Sequence, residues 1–473
     1  MAEKIKLNKI SEVEWEIPKE GKMNVPVKVF ASEKLLEAMK EDETFKQSIN
    51  VATLPGLIDN VILCPDAHMG YGMPIGGVAA FDLDKGVIAP GMIGFDINCG
   101  IRLLSTNISK EEFMAQREKI LHDIKRTIPS GVGRGGEKYS KEILRKVLID
   151  GAKWAVDNNL GIKEDLERTE EKGKMDGANP EDVSDRAVLR GLPQLGSLGA
   201  GNHFVDIVVV DEIYDENVAE IFGLKKGNIG VIIHCGSRGL GHQVASDYLR
   251  LTENEYGFKD LLDRELVNAP IKSELGKKYL SAMRCSVNFA FCNRQIIMHK
   301  IRKILEKNYP NKKINLVYDV AHNIAKIEEH VIEGKKKEIL IVRKGATRSF
   351  GPGHKEVPLI YRKIGQPVLI PGSMSTSSFV LVGTNESEKI SFSSSAHGAG
   401  RAHSRTWAHK TLDIEKVKKI LEKKDIILEG DFKGTIEESE LSYKDIEEVI
   451  ETTENTNLSK KVAKLKPLAV MIG

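Results

Sequence analysis

Short β-branched, apolar runs recur along the chain, separated by glycine and polar residues. Runs near 61–65, 77–81, 205–210, 229–234, 314–320, 338–343, 367–370 and 379–383 read as strands bounded by turn formers. A 3.6-residue apolar period predicts helices at about 109–127, 140–158, 242–250, 277–308, 413–423 and 443–452. Strands and helices interleave irregularly. The predicted fold class is therefore mixed α/β (α+β), with central β-sheets flanked by helices, rather than a regular doubly wound sheet. From Lys163 to Arg190 large apolar residues are few and both charge signs mix, so 163–190 is expected to be a solvent-facing helical insertion. No fixed-period repeat and no Gly/Ser linker interrupts the chain. At roughly 150 residues per domain, 473 residues suggest three domains. The candidate site residues described next spread from Asp96 to His397, which predicts a single interwoven domain over 1–473 instead.

Composition changes this picture in three ways. With 41% hydrophobic and 29% charged residues, global disorder is excluded. Lys+Arg total 70 against 68 Asp+Glu, a net charge of +2, which excludes a uniformly basic nucleic-acid coat but leaves room for a local basic groove. Five cysteines, an odd number without CxxC pairs, argue against a disulfide scaffold and suit a reducing compartment. The N-terminus is charged throughout, and no run reaches the ~18 apolar residues of a membrane span. The expectation is a soluble, cytoplasmic protein with no membrane partner.

Potential metal ligands sit at the ends of apolar, glycine-rich runs. Asp96 and Cys99 lie in FDINCG, Asn202 and His203 in GAGNHFVDI, His234 in GVIIHCGSRG, and His322 after NLVYDVAHN. One such histidine alone is more often a hydrogen-bonded core residue. Several at strand ends shift the balance, because scaffolded sites are built there. A carboxylate, a thiolate and three imidazoles form a mixed ligand set, and a bridging thiolate could hold two ions close together. Paired ions suit phosphoryl chemistry by clamping attacking and leaving oxygens. Zinc, manganese and magnesium all stay open on ligand type. His68, in PDAHMG, could orient a ligand or phosphate, or serve the fold alone. Cys64, Cys285 and Cys292 read as core thiols, and Cys235 should point away from its neighbour His234.

A second constellation lies at SFSSSAHGAGRAHSR, residues 391–405. His397 is followed by Gly398, Ala399 and Gly400, which leave room for a phosphate, and by Arg401 and Arg405, which offer bidentate donors. A neutral imidazole can attack phosphorus and form a phosphoramidate. Further phosphate-like segments carry Arg238, Lys344 and Arg348 beside glycines. No GxxxxGK[ST] loop and no nucleotidyl-lysine motif occurs, so histidine is the better nucleophile candidate.

FDINCG, GNHF, HCGSRGLGHQ, YDVAHNIAK, RSFGPGHKE, PGSM and SSAHGAGR occur in this order. Together they closely resemble the RtcB family of RNA-splicing ligases, from about residue 20 to the C-terminus. The resemblance implies joining of RNA ends carrying a 2′,3′-cyclic phosphate or 3′-phosphate to 5′-hydroxyl ends, in tRNA splicing or RNA repair. It implies GTP and two Mn2+ ions as cofactors, RNA as substrate and a small helper protein, archease. By motif, Asp96, Cys99, His203, His234 and His322 correspond to the manganese ligands, with the cysteine bridging. Asn202 corresponds to a phosphate-contacting amide and His397 to the guanylylated histidine. Ser378 and Tyr443 match residues that contact guanine. Two positions depart from the pattern: Asp206 stands where glutamate is common, and Ile472 where a base-contacting lysine is common. The expectation is intact His397 chemistry with an altered preference for GTP. Alternatives are a metal-dependent RNA phosphodiesterase or cyclic-phosphate hydrolase, which would not need His397, and a non-catalytic RNA-binding protein.

Overall fold

The computed structural model describes residues 5–131 and 139–473. Two sheets dominate. The first has seven strands in the order 8–9, 14–17, 27–30, 61–68, 75–82, 335–344 and 323–332. The second runs 314–321, 100–109, 228–235, 204–213, 459–472, 378–383 and 367–370, and short strand 427–429 adds to it as an eighth, alongside 459–472. All eight apolar runs read as strands are strands, and all but 367–370 extend by one to three residues at an end. Strands 204–213 and 228–235 are nearly continuous apolar segments because both faces of this sheet are covered.

Helix Glu274–Asn308 packs across the second sheet and buries most of its length. Its polar residues turn inward and tie loops together. Asn293 Nδ2 donates to the Ser197 carbonyl, and its Oδ1 accepts from the backbone N–H groups of Gly196 and Ser197. Arg294 donates to the carbonyls of Asn98 and Cys235 at 2.8 and 2.7 Å and pairs with Asp319. Asp319 also binds Arg102 at 2.6 Å, and all three side chains are fully buried. A carboxylate between two guanidiniums stays ionised: burial pushes its pKa up, but the two cations outweigh burial and lower it.

Three helical expectations change in detail. Segment 109–127 is two helices, Lys110–Met114 and Arg117–Thr127. Segment 140–158 breaks at Gly151, whose φ of 55° no helix accommodates. The last helix spans Ile446–Asn455, so Tyr443 precedes it rather than lying on it. The segment 163–190 differs more. Two short helices, Lys163–Glu167 and Asp185–Gly191, flank single 3-10 turns, and two of its carboxylates, Asp165 and Glu170, point inward. Asp165 receives Arg302 and Gln295, while Glu170 receives Lys326 and pairs with Arg348. Most of the segment's other charges, among them Lys163, Glu164, Glu181, Asp185 and Arg186, face solvent as expected.

Among the described residues no helix is long and apolar enough to cross a membrane. All five cysteines are free and buried.

Candidate functional site

The candidate ligands become neighbours where the second sheet ends. Cys99 immediately precedes strand 100–109, His234 is near the end of 228–235, His203 immediately precedes 204–213, and His322 follows 314–321. Adjacent antiparallel strands therefore bring together residues as far apart as 96 and 322. Cys99 Sγ is 3.5 Å from His203 Nε2 and 3.1 Å from His234 Nε2. His203 Nε2 is 2.7 Å from Asp96 Oδ2, and the Nε2 atoms of His234 and His322 are 3.3 Å apart. Two triads result, Asp96–Cys99–His203 and Cys99–His234–His322, each with its donor atoms within 4.8 Å of one another and both sharing the thiol. Glycines make this crowding feasible. A Cβ at Gly199 would lie 1.8 Å from His203 Nδ1, and one at Gly236 would lie 2.3 Å from Asp96 Oδ1.

The electrostatics suit cations. Burial pushes His234 and His322 well below the usual histidine range, which keeps their imidazoles neutral. Burial opposes ionisation of Asp96, but His203 beside it overrides this and holds the carboxyl at about 2. Burial and Asp96 push the Cys99 thiol up to about 12, so a bound cation must displace its proton. Convergent, mutually close nitrogen, sulfur and oxygen donors with few other partners fit one or two divalent ions. Cys235 stays outside both triads. Its sulfur accepts from Asn293 Nδ2 at 3.3 Å and lies 3.9 Å from His203 Nδ1, on the far side of that ring.

His397 adjoins this cluster, its ring centroid 4.8 Å from that of His322. Asp66 is the functional residue that sequence reading missed. It is fully buried in strand 61–68, and its Oδ2 lies 2.5 Å from His397 Nδ1. The same oxygen accepts the backbone N–H groups of His397 and Gly398 at 3.0 and 3.3 Å. Burial opposes this carboxylate, yet the adjacent His397 lowers its pKa and keeps it charged. The pairing assigns the Nδ1 proton to the Asp66 side and leaves the lone pair on Nε2. PDAHMG had stood out as a motif, but through His68, two residues along. His68 also lines the recess, and burial holds it near 4, so it is neutral.

His397 opens into a recess of about 200 Å³. Phe204, Asp206, Val470 and Ile472 form one wall, and Gly398, Gly400, Arg401 and Tyr443 line another part. Ala399 is also among the lining residues, as is Asn202. Arg401 lies over the Tyr443 ring at 5.0 Å and donates to its hydroxyl at 3.2 Å, and the hydroxyl donates to Glu438. Arg405 is held by Glu437 at 3.1 Å and reaches Asn202 at 3.5 Å. On the other side of Asn202 a larger groove of about 720 Å³ is lined by Asp96, Arg190, His203, Arg238, His242 and Arg405. Arg238, at φ 56°, donates from Nη2 to the Gly131 carbonyl.

Ser378 begins strand 378–383, and its Oγ accepts from the N–H of Gly372, a residue that lines the recess, at 3.1 Å. Two expected phosphate contacts lie elsewhere. Lys344 is buried, with its ammonium on the carbonyls of Tyr71 and Gly91, and burial lowers its pKa to about 7. Arg348 is buried among Glu170, Glu171 and Glu356. Neither cation is available to a phosphate at His397; both had read as phosphate ligands because glycines flank them.

The family model described as tRNA-splicing ligase RtcB matches residues 47–473. The chain is 51% identical to the tRNA-splicing ligase RtcB of Nanoarchaeum equitans over 99% of this chain and 100% of the relative. It is 46% identical to that of Thermococcus kodakarensis over 100% of both. It is 44% identical to the RNA-splicing ligase RtcB of Mycobacterium bovis over 90% of this chain and 100% of that protein.

Proposed function

The chain belongs to the RtcB family of tRNA-splicing ligases, and on that premise we propose that it joins RNA 2′,3′-cyclic phosphate or 3′-phosphate ends to 5′-hydroxyl ends through a nucleotide carried on His397. The observation that supports this most is the Asp66–His397 pair opening beside two donor triads with a shared thiol.

The resemblance implies GTP as the nucleotide and archease as a helper. Two manganese ions are the proposed residents of the triads, with Cys99 common to both, and when bound they supply charge screening and Lewis acidity for phosphoryl transfer. The chain's own groups account for the rest. Asp66 holds the Nδ1 proton, so His397 attacks the α-phosphorus through Nε2. A nitrogen–phosphorus bond forms, the α–β anhydride bond breaks, and pyrophosphate leaves with the bonding electrons. The positive charge that develops on the ring is offset by the Asp66 carboxylate. The nucleotide then passes to the RNA 3′-phosphate, and the incoming 5′-hydroxyl displaces it, closing the phosphodiester. A cyclic end must first be opened by water to a 3′-phosphate. The groove carrying Arg190, Arg238 and Arg405 is the proposed path for RNA, since phosphate contacts position a strand.

A hydrolase using the triads alone would have no use for a carboxylate-oriented histidine, which favours ligation. His397→Ala should abolish joining and nucleotide adduct formation. Ligation preserved in that variant would overturn the mechanism.

A further inference from the structure

The donor atoms of the two triads come from four separate segments of chain, which end at 99, 203, 234 and 322. Two consecutive residues of the helix Glu274–Asn308 tie these segments to one another. Asn293 fixes the backbone at 196–197, on the approach to His203. Arg294 reaches the other three.

Arg294 is fully buried, and all five of its N–H donors are engaged. Nη1 donates to the carbonyls of Asn98 and Cys235, which adjoin Cys99 and His234, at 2.8 and 2.7 Å. Nη2 donates to Asn98 Oδ1 at 3.1 Å and to Asp319 Oδ1 at 2.7 Å, and Nε donates to Asp319 as well. Asp319 lies in strand 314–321, which leads to His322. A Cβ at Gly100 would lie 3.1 Å from the guanidinium carbon, so the glycine after Cys99 lets the planar fork approach the backbone.

The turn held in this way carries Asp96 and Cys99. The Cys99 N–H donates to the Asp96 carbonyl at 3.0 Å, and Asn98 inside the turn has φ 51°, a left-handed conformation that asparagine tolerates. Asn98 is itself fully buried, and its Nδ2 donates to the Val287 carbonyl on the same helix. Its N–H donates to the Asn323 carbonyl at 2.8 Å, and the His322 N–H donates to the Cys99 carbonyl at 2.9 Å. Displacing the guanidinium would therefore move Cys99, His234 and His322, the members of one triad, relative to each other.

We propose that Arg294, which is not a ligand, is a positioning residue of the metal centre. Its fork sets the separation of Cys99 from His234, and with it the affinity for the ion that Cys99, His234 and His322 would hold. The inference rests on the reading of the triads as a metal centre. A lysine here would keep a positive charge for Asp319 but offer a single point donor in place of the fork. Groups that orient metal ligands in this way change metal affinity by about 10- to 100-fold.

The test separates positioning from folding. Equilibrium dialysis against Mn2+, followed by metal analysis, gives affinity and stoichiometry for the parent, Arg294→Lys, Asn98→Gly and Arg302→Lys, with unfolding midpoints of the metal-free proteins measured alongside. Arg302 is the control: it lies on the same helix in a buried pair with Asp165, and its recorded contacts are to Asp165 and Met298, outside the ligand segments. Asn98→Gly keeps the left-handed turn and removes only the side-chain contact to the fork. Arg294→Lys should weaken binding of at least one ion by about tenfold or more, Asn98→Gly should weaken it by more than about threefold, and Arg302→Lys should stay within about threefold of the parent. Affinity of Arg294→Lys within about threefold of the parent, or a loss no greater than that of Arg302→Lys, would overturn the proposal. If Arg294→Lys does not fold, Asn98→Gly decides by the same limits. A parent that binds no manganese would sink the metal-centre reading, and this inference with it.

Discussion

Replacing Asp66 by asparagine should disarm His397 while leaving the fold intact. The amide is nearly isosteric, and its oxygen can take the place of Oδ2 and still accept the two backbone N–H groups. What disappears is the negative charge 2.5 Å from Nδ1, at the moment the ring becomes cationic. Two estimates bracket the loss. A hydrogen bond to a charged group contributes roughly 1.5–3 kcal/mol, about twice its neutral counterpart. Two unit charges about 4 Å apart interact by about 4 kcal/mol at an effective dielectric of 20, which is an upper bound here. At about 1.4 kcal/mol per decade, the rate of nucleotide transfer to His397 should fall roughly 100-fold, within limits of about 10- and 1,000-fold. The assay is single-turnover adduct formation at saturating nucleotide. Nucleotide affinity should change little, because Asp66 sits behind the ring and is not among the residues lining the recess. A transfer rate within about threefold of the parent would refute the assignment of Asp66 as the residue that positions and neutralises His397.

Two further outcomes follow from the same geometry. Cys99→Ala removes the one atom common to both triads, so metal analysis after dialysis should show a loss of bound manganese larger than for His322→Ala, which touches one triad only; equal retention in the two variants would remove the bridging role. Asp319→Ala leaves Arg102 and Arg294 buried without their carboxylate, which should destabilise the fold by about 3–5 kcal/mol in denaturant titrations. Since Asp319 is depressed in the folded state, its contribution is complete above its unfolded value of about 3.9 and fades as pH falls through the lower folded value; the variant should lose that part of the acid sensitivity.

How far the sequence reaches depends on distance and on the kind of residue. Strands with β-branched runs, such as 228–235, declare themselves locally. Strand 459–472 does not, because its lysines and Pro467 read as loop; the proline is tolerated at an irregularity in pairing between Pro467 and Ala469. The cluster of potential ligands was legible because each adjoins a strand end, beside glycine, asparagine or aspartate. Asp66 was not, since its partner is His397, 331 positions away, and the neighbouring His68 drew the attention. Lys344 and Arg348 show the converse error: glycine beside a cation resembles a phosphate loop, yet both cations serve internal carbonyls and carboxylates. Within 163–190 the inward turn of Asp165 and Glu170 was not legible for the same reason, because their partners Arg302 and Lys326 lie far along the chain.

Strand 459–472 lies between 204–213 and 378–383 in the middle of the larger sheet, and it carries Val470 and Ile472 into the recess. A ribosome adding about 5–20 residues per second reaches it some 12–50 s after finishing strand 204–213. For that interval the apolar strand 204–213 has one bare hydrogen-bonding edge and no neighbour to cover it. Nascent chains of this ligase are therefore open to wrong strand pairing for most of their synthesis, and slowing translation should lengthen that exposure in proportion.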